Sequence, residues 1–285
     1  MKLNIIALSL VACLVPVCAS AKDKHEPVSD QVVVDQRNAL AENTKGKGFG
    51  PQSPRNIDSS AGSNNILFGT APAYTKMNLC NIHFHKNAEH KGGEFTKYAG
   101  NGSGDGYQSG FKYAGNLSTA DLKPAKGETC RSKQGSLSSG DTIEVHYVHS
   151  SAQVKPGATL GACLSESIIN PQLRVETQVY VLVNDKKALD FGKLTQHDLK
   201  NGVHQALNIP GNTGNGIQYA GSTTGPGYNE SGSPLQVTWN VRPKVARVNI
   251  QSVGEWCKGN VFKEDHAHGV RNLVTNPALL SEMTP

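Results

Sequence analysis

Leu79-Cys80-Asn81-Ile82-His83-Phe84-His85 alternates apolar and polar residues, and Thr142-Ile143-Glu144-Val145-His146-Tyr147-Val148-His149 does the same further along the chain. A period of two marks a half-buried β-strand, whose successive side chains leave on opposite faces. In the first segment Ile82 and Phe84 share one face while His83 and His85 share the other. In the second, Glu144, His146 and Val148 share a face, and Val145, Tyr147 and His149 take the opposite one. Set side by side with the histidine faces matched, the strands bring His83, His85 and His146 to one point on a sheet. Three imidazoles so placed close on one metal at roughly 2.0–2.1 Å per bond and leave a position for water, the arrangement of catalytic rather than structural zinc. Glu144, two residues before His146 on the same face, is placed to accept the other ring N–H.

Further strand signals cover Leu173–Val183, Leu235–Val241 and Val245–Val253, with Pro243 as the turn between the last two. Helical patterns are scarce; Thr195–Asn201 is expected to form one short turn. Lys97-Tyr98-Ala99-Gly100-Asn101 recurs as Lys112 to Asn116 and encloses a glycine-rich stretch at 102–106. A phosphate-cradling loop needs a helix start and a lysine after it. Neither follows, so a hairpin with a glycine-rich tip is expected. The expected fold is mainly β, α+β at most: a single domain on a large, twisted, mostly antiparallel sheet with few short helices.

The chain has 285 residues, 37% hydrophobic and 18% charged, which suffices for a real core and is too polar for a polytopic membrane protein. The net charge of +5 is mild and dispersed, so no nucleic-acid partner is expected. Met1-Lys2, the apolar run Ile5–Val17 and Ala19-Ser20-Ala21 read as a signal peptide over residues 1–21. The run is too short to span a bilayer as a helix, so no transmembrane anchor is expected. Leu10-Val11-Ala12-Cys13 fits a lipoprotein site less well, because the apolar run continues past Cys13. The mature chain is therefore expected to be exported, periplasmic or secreted. Residues 22–48 read as a flexible N-terminal arm, and 49–285 as the catalytic domain. With Cys13 and Cys18 removed, Cys80, Cys130, Cys163 and Cys257 favour disulfides, with all three connectivities open. A second His-x-His, His266-Ala267-His268, follows Lys263-Glu264-Asp265 and is expected to be exposed.

His83-Phe84-His85-Lys86-Asn87-Ala88-Glu89-His90 resembles the histidine-pair segment of delta-class carbonic anhydrases, and Glu144 to Ser151 resembles their third-ligand strand. Asn170-Pro171-Gln172-Leu173 through Val183-Asn184-Asp185 continues the resemblance. A more distant similarity to the alpha class runs in the same order over roughly residues 50–255. Gln52-Ser53-Pro54 with Ile57-Asp58 resembles its N-terminal segment, Tyr219 to Thr224 its threonine loop, and Val237-Thr238-Trp239 the strand after it.

The resemblance implies an alpha-carbonic-anhydrase-like domain over 49–285 with the metal at the base of a cone-shaped cleft. It implies a lyase: zinc-dependent reversible hydration of CO2 to bicarbonate and a proton, by attack of zinc-bound hydroxide. One Zn2+ per chain would sit on His83, His85 and His146. Thr223 would accept a hydrogen bond from the hydroxide and donate to Glu89, and Thr224 would help hold bicarbonate. Val148, Val237 and Trp239, with one of Val179 to Val183, would wall the CO2 site. Gly225 stands where the alpha pattern has proline. No histidine occurs from residue 26 to 82, so the usual proton-shuttle histidine has no counterpart. His90 is the nearest candidate for that role or for a scaffold, and His149 reads as structural. The partner is the small-molecule substrate, CO2 or bicarbonate, and the oligomeric state, dimer included, stays open. The alternatives are an exported non-catalytic zinc or copper carrier using the same histidines, and a catalytically dead interaction module.

Overall fold

The computed structural model of the chain describes residues 26–223 and 229–283, so the expected signal peptide and Thr224 lie outside the described residues. Helix α1 (Asp30–Thr44) comes first, then β1 (Asn78–Lys86), β2 (Lys97–Tyr98), β3 (Phe111–Lys112), β4 (Thr129–Ser132) and β5 (Gly135–Leu137). β6 (Thr142–Ser150), β7 (Leu173–Val183), the short helix α2 (Phe191–Leu194), β8 (His197–Lys200) and β9 (Val203–Ala206) follow. β10 (Ile217–Ser222), β11 (Gln236–Asn249) and α3 (Ile250–Cys257) complete the order.

Five strands form one mixed sheet in the order β1-β6-β7-β11-β10. Only β7 and β11 run parallel; the other three pairings are antiparallel. The fold is a mainly β single domain on a large central sheet. β6 and β7 are buried at every position, because the sheet is covered on both faces. On one face Ile82, Phe84, Val145, Tyr147 and Leu182 pack with Val253 and Trp256 of α3. On the other, Val148, Val175, Val179, Val237 and Trp239 form a second core, and the histidines share that side. Each fully buried side chain of this kind contributes roughly 1.5–3 kcal/mol.

Several expectations need correction. β11 passes through Pro243 without a break, and the pairing with β7 merely shifts between Val241 and Val245. A proline lacks the N–H that the ladder needs, and the irregularity absorbs that loss. The strand expected to reach Val253 ends at Asn249, whose side chain caps α3 by accepting the Gln251 N–H at 3.1 Å. Thr195–Asn201 is not a helical turn: Lys200 pairs with Val203 across Asn201-Gly202, both at positive φ. Asn-Gly is the dipeptide that a two-residue hairpin loop prefers.

Within the expected flexible arm, α1 buries Val33, Leu40 and Thr44 along one face. Gln36 donates to Gly104 O at 3.0 Å, Arg37 to Leu273 O at 3.1 Å, and Asn272 to Gln36 Oε1 at 2.6 Å. Asp30–Thr44 is a docked helix. The glycine-rich repeat does form a hairpin, with Lys97 opposite Lys112. At Gly106, with φ +96°, a Cβ would meet the Val270 carbonyl oxygen at 2.1 Å, so only glycine lets the tip dock there. The disulfides are Cys80–Cys163 and Cys130–Cys257. No described helix is long and apolar enough to cross a membrane.

Candidate metal centre

His83 on β1 lies directly opposite His146 on β6, and His85 opposite Glu144. Ring centroids are 5.2 Å apart for His83–His85, 5.0 Å for His83–His146 and 4.8 Å for His85–His146. Each ring has one nitrogen held from behind. His83 Nδ1 is 2.6 Å from Asn81 Oδ1, His85 Nδ1 2.7 Å from Gly269 O, and His146 Nε2 2.6 Å from Glu144 Oε1. These acceptors put the ring proton on the rear nitrogen. His83 Nε2, His85 Nε2 and His146 Nδ1 are then left to offer lone pairs, and the three residues each bring one ring nitrogen within 4.8 Å of the others. His85 Nε2 is buried without a partner, and His83 Nε2 faces His146 Nδ1 at 3.2 Å. Unprotonated nitrogens gathered in this way need a cation, and three imidazoles suit a divalent metal. The residues fit one.

Burial, and then the neighbouring His146 and His85, hold His83 well below the ordinary histidine range. Burial likewise brings His85 down to about 4, although Glu89 works against it. Neutral rings are the form that a metal requires. Burial alone would favour protonated Glu144, but His90 and His146 outweigh it and keep the carboxyl well below its usual range. The Glu144 carboxylate accepts the His90 backbone N–H at 3.1 Å and the His90 Nδ1–H at 2.8 Å. His90 is 0% exposed, and its Nε2 lies 2.7 Å from the Tyr219 hydroxyl, which in turn lies 2.6 Å from Ser53 Oγ. His90 is thus an interior scaffold for Glu144. The solvent-facing position that a proton shuttle needs is not where the fold puts it.

A cleft opens over the three rings. Val148, Leu160, Leu173, Val175, Val237 and Trp239 form its apolar wall, and Glu89, Thr223 and Arg271 also line it. The place expected for one of Val179 to Val183 is taken by Leu173 and Val175; Val179 pairs with Glu144 in the row of His85, where it is buried in the core. Glu89 is 2% exposed and accepts the Arg271 backbone N–H at 3.1 Å. Burial opposes its charge, but Arg271, then His85 and His146, outweigh burial and hold it at about 2. Thr223 donates its N–H to Leu235 O at 3.1 Å. The fold brings Thr223 and Glu89 to one cleft, yet no hydrogen bond joins them among the described residues.

The sequence profile described as Delta carbonic anhydrase matches residues 74–252. The chain belongs to the delta carbonic anhydrase family. Among solved structures it is similar to an alpha-carbonic anhydrase from Thermovibrio ammonificans in complex with the inhibitor sulfanilamide. That likeness has 16% identity over 83% of this chain and 88% of the other, with a TM-score of 0.27. It is also similar to Photobacterium profundum alpha-carbonic anhydrase, at 14% identity over 86% of this chain and 95% of that one, with a TM-score of 0.27. Superpositions this loose assign no residue. No curated protein shows a significant match.

The span matched to delta carbonic anhydrase holds all three candidate ligands, but it ends before three residues that complete the centre. Gly269 orients His85, and Arg271 charges Glu89. His268, expected to be exposed, is half-buried with its ring centroid 5.6 Å from His83. Its backbone explains this: the His268 N–H donates to Phe84 O at 2.9 Å, and its carbonyl accepts the Lys86 N–H at 3.1 Å. Those contacts lay the 264–271 segment beside β1, which no local pattern announces.

Proposed function

We propose that this chain catalyses the zinc-dependent, reversible hydration of CO2 to bicarbonate and a proton. The observation that carries the reading is the convergence of His83 Nε2, His85 Nε2 and His146 Nδ1, each ring locked from behind, at the floor of a half-apolar cleft. A zinc ion held by these three nitrogens supplies a Lewis acid that makes water nucleophilic near neutral pH.

The chain's own residues do the rest. Val148, Val237 and Trp239, with Leu160, Leu173 and Val175, offer a surface that favours a small apolar molecule over water. We assign Thr223 to orienting the attacking water through its hydroxyl, and Glu89 to accepting the hydrogen bond that this hydroxyl donates; the ionised state of Glu89 keeps it an acceptor, so the threonine oxygen faces the water with a lone pair. Glu144, fixed by His90, holds His146 in the tautomer whose Nδ1 is free. Thr224 is assigned to bicarbonate by the resemblance alone.

We further propose that residues 1–21 direct export and are removed, and that residues 49–285 form the catalytic domain. Two disulfides support an oxidising location. A metal carrier must release its cargo, and a third ligand in the middle of a fully buried strand suits that task poorly.

The test is CO2 hydration followed by stopped flow on zinc-reconstituted and chelator-stripped protein. The expected result is a zinc-dependent kcat/KM above about 10⁴ M⁻¹s⁻¹. No acceleration by fully zinc-loaded protein would overturn the proposal.

A further inference from the structure

Leu160 is the one apolar residue of the described cleft wall that the sheet does not position directly. Val148, Leu173, Val175, Val237 and Trp239 stand on or at the ends of strands, whereas Leu160 opens a short 3-10 helix, Leu160–Cys163, in the loop from β6 to β7. That helix is pinned from several sides. Thr159, at φ 58°, accepts the Gly161 N–H at 3.2 Å, and Cys163 is disulfide-bonded to Cys80 on β1. Ser150 Oγ donates to Cys163 O at 2.7 Å, and the Gly157 N–H to Cys80 O at 2.9 Å. Asn81 ties the loop to the metal centre, since its Nδ2 donates to Gly157 O at 3.0 Å while its Oδ1 accepts from His83. Leu160 itself is half-buried against the core that holds Val148, Leu173, Val175 and Val237.

We infer that Leu160 sets the size of substrate the cleft accepts: it leaves room for CO2 and short acyl groups beside the three imidazoles and excludes longer ones. The inference rests on the proposed function and adds its specificity determinant. Leu160→Ala cuts the isobutyl side chain in the wall back to a methyl group, and discrimination by one methylene in an apolar pocket is worth about 10–200-fold.

The experiment compares zinc-loaded wild type, Leu160→Ala, Leu160→Phe and Leu160→Met on 4-nitrophenyl acetate, propionate and butyrate. The butyrate-to-acetate ratio of kcat/KM is expected to rise at least about tenfold in Leu160→Ala, to fall in Leu160→Phe, and to stay near wild type in Leu160→Met. A second readout needs no turnover: the ratio of Kd values for acetate and butyrate, from the visible spectrum of cobalt-loaded protein, should move the same way. Where ester cleavage is undetectable throughout, this binding ratio decides. Ratios that stay within twofold of wild type in both Leu160→Ala and Leu160→Phe overturn the role of Leu160 and leave CO2 hydration standing. Zinc-loaded wild type that does not hydrate CO2 overturns the proposed function, and the inference with it.

Discussion

His90 and Glu144 form a wholly buried pair in which the histidine donates twice, from its backbone N–H at 3.1 Å and from Nδ1 at 2.8 Å. With His146 donating Nε2–H at 2.6 Å, one carboxylate collects three hydrogen bonds in the interior. A buried charge is tolerable only when it is satisfied in this way. The carboxylate in turn decides which His146 nitrogen stays free.

Glu144→Gln keeps the shape but weakens the grip on His146, because an amide can present its NH2 to a ring that needs an acceptor. Zinc affinity should fall about 10–100-fold, read by competition with a chelator of known affinity. An unchanged affinity would show that His146 is oriented by something else.

His90→Phe takes away the ring that satisfies Glu144. Unfolding in urea should show a loss of about 3–5 kcal/mol, the usual result of stranding a buried charge. The dependence of CO2 hydration on buffer concentration should match wild type, since His90 has no contact with solvent. A steeper buffer dependence in the variant would restore His90 as a proton carrier.

His149, on the face opposite the centre, is buried with Nε2 unpartnered. Burial, with Arg174 adding to it, brings its pKa down to about 3. The unfolded chain binds that proton near pH 6.5, so stability falls as pH drops from 6.5 towards 3 and is fully present above 6.5. Between pH 7 and pH 5 wild type should lose about 2 kcal/mol more than His149→Phe, which has no proton to take up. Equal losses in the two proteins would remove this account of acid sensitivity.

The disulfides close long loops, with sequence separations of 83 for Cys80–Cys163 and 127 for Cys130–Cys257. Replacing either pair by serines should cost about 4–5 kcal/mol on chain-entropy grounds, measured by chemical denaturation. A change under about 1 kcal/mol would mean that the unfolded chain is already restricted there.

The central sheet and the three candidate ligands were legible because both depend on a period of two. Parity alone put His83, His85 and His146 on one face, and pairing β1 with β6 in register did the rest. The parity that placed Val148 also reaches Val175 from Val179, so that wall residue was within reach of the sequence. The Asn201-Gly202 hairpin was likewise readable from its dipeptide. Gly269, Arg271, His268 and Leu160 were not. Each arrives on an irregular segment whose position depends on contacts far away in sequence, such as the His268 backbone bonds to β1 or the Cys80–Cys163 bridge. Helix α1 hid for a similar reason: its apolar positions are few and gain meaning only against the segments at 101–104 and 272–274.

The most direct test is zinc content per chain, measured by mass spectrometry on wild type and on His146→Ala after reconstitution and dialysis. The account predicts close to one zinc per chain in wild type and almost none in the variant. Wild type without zinc, or a variant that keeps a full equivalent, would contradict it.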